Sequence, residues 1–152
     1  MHIYRKVQQG IPVMAEGSAS LYLAKAYQSE NGREWPLVGI VPSVGRFNPS
    51  AHSPYYATMT SRREDLLSEH GTQIPCLIND RFLFEPNGAS YRTHVLGMGY
   101  RMQGFSTANI WSSQATFHFY AEPLCPARFT KACKEHMEKR LEGKSNGLEG
   151  GW

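Results

Sequence analysis

Between Gly71 and Pro123 the chain alternates short apolar, aromatic and β-branched runs with turn signals. This alternation limits the possible folds more than any other feature. Residues 74–78 and 81–85 read as strands. Pro86-Asn87-Gly88 is a strong turn, and residues 90–102 return as a long strand loosened by Gly97 and Gly99. Gln103-Gly104 turns the chain again. Residues 108–122 form the last strand, which Pro123 and Pro126 stop. The pattern predicts an antiparallel meander.

The flanking segments supply the helices. Residues 3–7 read as a short first strand, and Gly10, Pro12 and Gly17 break the chain after it. Across residues 20–28 the alanines and leucines favour a helix, capped by Ser18 and stopped at Asn31-Gly32. The same Asn-Gly could turn a hairpin into residues 35–41; the helix is the preferred reading. Residues 37–41 read as a buried strand between Pro36 and Pro42, and residues 42–56 as a loop rich in Pro, Ser and Gly. A short helix is expected over residues 62–70. Thr60 or Ser61 would cap it, with Glu64 and Asp65 in its first turn and Gly71 at its end. Pro126 suits the first turn of a C-terminal helix. Its apolar face would carry Phe129, Ala132, Cys133, Met137 and Leu141, and Gly143 would end it. The expected class is α+β: an antiparallel meander sheet with two or three helices, the C-terminal helix packed on the sheet. One domain covers residues 1–142, followed by a Gly-rich tail over 143–152.

Composition excludes several classes. The chain is 41% hydrophobic and 12% aromatic, which is too apolar for a disordered segment. No apolar run approaches the ~18 residues of a membrane-spanning helix, so no membrane insertion is expected. Cys76, Cys125 and Cys133 lack framework spacing, which points to a reducing, intracellular compartment. The net charge of +3 does not by itself imply nucleic acid. Its distribution says more. Between Lys25 and Lys131 every basic side chain other than histidine is Arg, the cation that best tolerates burial and planar contacts. Residues 86–121 contain no Asp or Glu but carry Arg92, Arg101, His94 and His118 among many aromatics. Few acids and lysines with many aromatics and arginines is the composition of an interface centre.

Chemical motifs are sparse. Cys133 and His136 stand three apart, with Cys125 nearby, but a fourth ligand is missing and Cys133 belongs to the apolar stripe. Cys76 lies in an apolar strand and reads as an inert thiol. Gly97-Met98-Gly99 lacks the strand–helix setting of a phosphate loop. Tyr91-Arg92 and Tyr100-Arg101 set aromatics beside guanidinium groups, as in platforms that hold single-stranded nucleic acid.

One constellation points to an enzyme. Gly45-Arg46-Phe47-Asn48, Tyr56 and Ser113 ahead of Phe117-His118-Phe119 resemble RES-domain proteins, which degrade NAD on an ADP-ribosyltransferase-like fold. The resemblance implies Arg46 on the pyrophosphate, Tyr56 beside the nicotinamide and Ser113 lining the pocket. It also implies a Glu one helix-length beyond the Tyr, where Leu67 stands; Glu64 and Glu69 are the nearest substitutes.

The leading expectation is a non-enzymatic structural subunit of a larger intracellular assembly: a ribonucleoprotein, an organellar complex or a virion. Its partners would be other proteins, with RNA as a further candidate, and it would need no cofactor. The expected interface residues are Tyr91, Arg92, Tyr100, Arg101, Trp111 and Trp152, the last an anchor on a Gly-rich tether. The alternatives are an NAD-processing enzyme and a single-stranded nucleic-acid binder.

Overall fold

The computed structural model describes residues 2–51 and 53–148. Three helices and three small sheets, mostly antiparallel, give an α+β fold. The helices are α1 (His2–Gln8), α2 (Ala19–Leu23) and α3 (Leu124–Leu148). The strands are β1 (Val13–Glu16), β2 (Ala24–Gln28), β3 (Glu34–Pro36), β4 (Val41–Phe47), β5 (Tyr55–Ser61), β6 (Gln73–Ile78), β7 (Phe82–Glu85), β8 (Tyr91–Val95), β9 (Gly99–Gln103), β10 (Phe105–Ser106), β11 (Ile110–Ser113) and β12 (Ala115–Thr116). A five-stranded sheet runs β12-β6-β5-β8-β9. A four-stranded sheet runs β3-β2-β4-β7, and a three-stranded one β1-β11-β10.

The antiparallel centre agrees with the sequence pattern. Strand β6 alternates exposed and buried residues along its whole length, so Ile74, Cys76 and Ile78 point inward. With Met59, Tyr91, Trp111 and Phe117 they build the main core, against which Phe129 and Ala132 of α3 pack. Only the first turns of α3 dock. Cys133, Met137 and Leu141 are exposed, so the expected apolar face is buried over half its length. The helix also runs through Gly143 to Leu148, where the composition predicts a linker.

Other local expectations are corrected. Residues 3–7 form helix α1, not a strand. Gly10 at φ 87° closes it, and the Asn109 side-chain amide donates to Val7 O (3.0 Å) and Ile11 O (3.2 Å). These bonds take up carbonyls that a strand would have offered to a partner. Residues 20–28 split into α2 and β2, because β2 pairs in parallel with β4 and antiparallel with β3 through the Asn31-Gly32 turn. Long-range pairing overrides the helix preference of alanine. The strand expected at 37–41 is displaced into β4. Residues 37–40 instead bond their N–H groups back to carbonyls of residues 22–25. Pro42 is tolerated inside β4 because the β2–β4 register shifts there.

No helix forms over residues 62–70. The Asp65 carboxylate accepts from the N–H groups of Leu67 (3.0 Å) and Ser68 (2.9 Å), and so offers the backbone an alternative to a helical turn. The long strand expected at 90–102 folds as β8 and β9 around Gly97 at φ 77°. The one expected at 108–122 breaks into β11, β12 and a 3-10 turn at Phe119–Ala121. No helix among the described residues is long and apolar enough to cross a membrane.

Burial separates the thiols. It pushes the Cys76 thiol up to about 11 and the Cys125 thiol up to about 12, while Cys133 is exposed. Alkylation at about pH 8 should label Cys133 in the native chain and reach Cys76 and Cys125 only after denaturation. Peptide mapping of the adducts checks this.

Candidate functional site

Three places can do chemistry or binding. The first is the corner where β1 meets α2. Strand β1 runs parallel to β11, and the chain leaves it through Gly17 at φ 56° directly into α2. Ser20 Oγ donates to Gly17 O (2.6 Å) and holds the corner closed. A left-handed residue between a parallel strand and a helix is the backbone form of a nucleophile elbow, which presents the side chain at its apex. Here the apex is glycine. A Cβ built on it would lie 3.7 Å from Thr116 Oγ1, so the space is present and the nucleophile is not. The sequence alone does not reveal this corner, because Gly17 looks only like a chain breaker.

Glu16 sits beside the apex. Its carboxylate is partly buried and accepts weakly from Phe117 N (3.5 Å); burial raises its pKa and the backbone bond partly offsets the rise. The folded state therefore holds a proton on Glu16 more readily than the unfolded chain does. The charged form costs stability near neutrality, and the cost disappears as the pH falls through the raised value. Glu16→Gln should raise the melting temperature at neutral pH, and the gain should vanish by about pH 3. Thermal melts across pH check the sign.

The second place is a small cavity of about 30 Å³ between the sheets, lined by Ser20, Ser43, Phe84, Gln103 and Ser112 among others. It has no charged lining and room for about one water. The buried Gln103 Nε2 has no hydrogen-bond partner.

The third is the outer face of the five-stranded sheet. Register places its outward residues in rows. Thr116, Leu77 and Tyr56 form one; Pro75, Thr58, His94 and Tyr100 the next; Gln73, Thr60, Arg92 and Met102 the third. Among the described residues no helix covers them. Tyr56 is 83% exposed, Tyr100 62% and the adjacent Leu96 89%. The Arg92 guanidinium lies 3.8 Å from the Tyr100 ring centre, and His94 packs on the same ring at 4.8 Å. None of these outward residues is Asp or Glu.

The expected interface set divides here. Arg92 and Tyr100 are on the open face. Tyr91 and Trp111 are fully buried and belong to the core, a correction to their expected interface role. Arg101 points inward and forms a two-pronged ion pair with Asp80, 2.7 Å on each arm, while Tyr55 OH donates to the same carboxylate (2.5 Å). Trp152 lies outside the described residues.

The residues of the NAD reading do not meet. Arg46 borders outer clefts with Gln28 and Glu34, Ser113 lines the central cavity, and Tyr56 stands on the open sheet face. Glu64 and Glu69 bind Arg128 at 2.9 and 3.5 Å, against the start of α3. Among the described residues no three His, Cys, Asp or Glu side chains cluster to hold a metal.

None of the protein families compared with the chain matches it. A curated protein from Thermoplasma volcanium, cobyrinate a,c-diamide synthase, is 26% identical to it over 141 residues. The likeness covers 91% of this chain and 31% of that protein, so the chain spans about a third of the relative's length.

Proposed function

We propose that this chain is a non-enzymatic binding subunit of a larger assembly and that it works through the open face of its five-stranded sheet. The observation that carries this reading is the face itself. Its rows of Tyr, His, Arg, Thr, Leu and Pro have no covering layer among the described residues, and a sheet normally buries an apolar-aromatic face against another element.

Two further features support it. The corner best built to present a nucleophile presents Gly17, which has no side chain to react. The likeness to a diamide synthase covers about a third of that enzyme, too small a share to carry its amide-forming activity over to this chain.

The test is native size and activity together. The purified chain should neither form nor hydrolyse amides. In extracts it should migrate well above 17.2 kDa, and Tyr56→Asp should return it to the free position without changing its melting temperature. Free migration of the unaltered chain, or measurable amide turnover, would overturn the reading.

A further inference from the structure

The open face also has a chemistry that selects its partner, and we infer that the partner is single-stranded nucleic acid. This inference rests on the face being the working surface, and it goes further by naming what lies there.

Charge gives the first argument. The outward positions carry Arg92 and His94, with the exposed Arg62 just beyond Thr60 at the end of β5, and no acid among them. Arg62 and Arg92 lie toward the same end of the sheet, since Thr60 pairs with Arg92 and Arg62 N donates to Ser90 O. An acidic polymer on these rows meets cations and no carboxylate among the outward strand positions, and the exposed Glu64 and Glu69 of the following loop are held by Arg128 at 2.9 and 3.5 Å. A second copy of the chain would bring like charges together.

Ring geometry gives the second. Tyr56 is largely exposed on the sheet face, opposite Leu77 across the ladder and beside the strand that leads into the exposed Leu96. A free aromatic ring on a sheet face is a stacking platform for a base. Arg92 and His94 both pack on Tyr100, the guanidinium carbon 3.8 Å from the ring centre and the imidazole tilted by 38° to the ring. Arg92 can therefore meet a phosphate while its position is fixed by Tyr100. The Thr58 and Thr60 hydroxyls, opposite His94 and Arg92 on the neighbouring strand, can donate to phosphate or sugar oxygens. A duplex keeps its bases paired and its ring faces hidden, so it cannot use Tyr56.

Fluorescence anisotropy with the full chain tests this, using an oligouridylate and an oligothymidylate of about ten nucleotides. Both should bind at low salt, and a duplex of the same length should not compete. Binding should weaken with salt at a log–log slope of about −1.5 to −2, as expected for two or three phosphate contacts on a single strand. Tyr56→Ala should weaken binding at least about five-fold at every salt concentration, and Arg92→Ala should reduce the slope by about 0.7. Arg33→Ala, which alters a different cation–aromatic pair on another sheet, should leave both unchanged. No binding at low salt, equal binding of the duplex, or binding unaffected by Tyr56→Ala would overturn the inference. If the assembly is nevertheless lost with Tyr56→Asp and resists nuclease, the face is a protein interface. In that case the nucleic-acid inference fails and the reading of the face as the working surface stands.

Discussion

Asp65→Ala should lower the unfolding free energy by about 3 kcal/mol, the largest loss expected from any single polar side chain here. Asp65 is 4% exposed. One carboxylate oxygen accepts from the N–H groups of Leu67 and Ser68 and from Ser68 Oγ (3.1 Å), and the other from Tyr91 OH (2.5 Å). Trp111 Nε1 donates to that same Tyr91 oxygen (2.9 Å). The network thus joins the 62–70 loop to β8 and β11 at the centre of the core. Removing the carboxylate leaves two buried N–H groups without an acceptor and frees the loop that carries Leu66 and Leu67 inward. Tyr91→Phe should cost less, about 1–2 kcal/mol, since Asp65 keeps its backbone bonds. The double variant should lose less than the sum of the two, because the pair shares one bond. Urea titrations of the four proteins measure the coupling directly.

Gly88→Ala should be comparably damaging, at about 3 kcal/mol, which corresponds to a fall of roughly 6–12 °C in melting temperature for a domain of this size. A Cβ at Gly88 would lie 2.0 Å from Gly104 O. That oxygen is backbone and already accepts from Ser90 N (3.1 Å), so it cannot swing aside. Gly45→Ala offers the contrast. Its Cβ would meet the Leu21 side-chain tip at 2.2 Å, and a leucine tip can rotate. The smaller loss expected at Gly45, measured in the same melts, separates a backbone clash from a side-chain clash.

Both sites owe their weight to partners far along the chain, and that distance decides which parts of the fold are legible in the sequence. The strands at the sheet centre can be read because alternation there is local; Ile74, Cys76 and Ile78 announce their own inward face. Strand β4 cannot. Pro42 and Gly45 look like loop residues, and both are explained by remote contacts: the register shift against β2 and the close approach of Leu21. The parallel β1–β11 pair joins residues about a hundred positions apart and leaves no local trace. Asp65 reads as an anion in a helix's first turn, and its side chain instead replaces the helix.

The candidate face is half legible for a similar reason. Tyr91-Arg92 and Tyr100-Arg101 read as paired aromatics and cations, but neighbours on a strand point to opposite sides. Alternation therefore splits each pair. It sends Arg92 and Tyr100 outward, where the β8–β9 register lets the guanidinium reach the ring, and turns the buried Tyr91 and the half-buried Arg101 inward into polar networks. Tyr56, which the RES resemblance places beside a nicotinamide, is the most exposed ring of that face. The corner at Gly17 becomes recognisable only once the parallel strand and the helix on either side of it are in place.

Hydroxyl-radical footprinting tests the central claim most directly, comparing the isolated chain with the chain in its native extract. Tyr56, Tyr100 and Met102 should be strongly modified in isolation and lose that modification in the extract. Exposed residues away from the face, Tyr22 and Trp35, should react equally in both. Equal modification of Tyr56 and Tyr100 in the two samples, or protection centred on Gly17 and the neighbouring cavity instead, would contradict it.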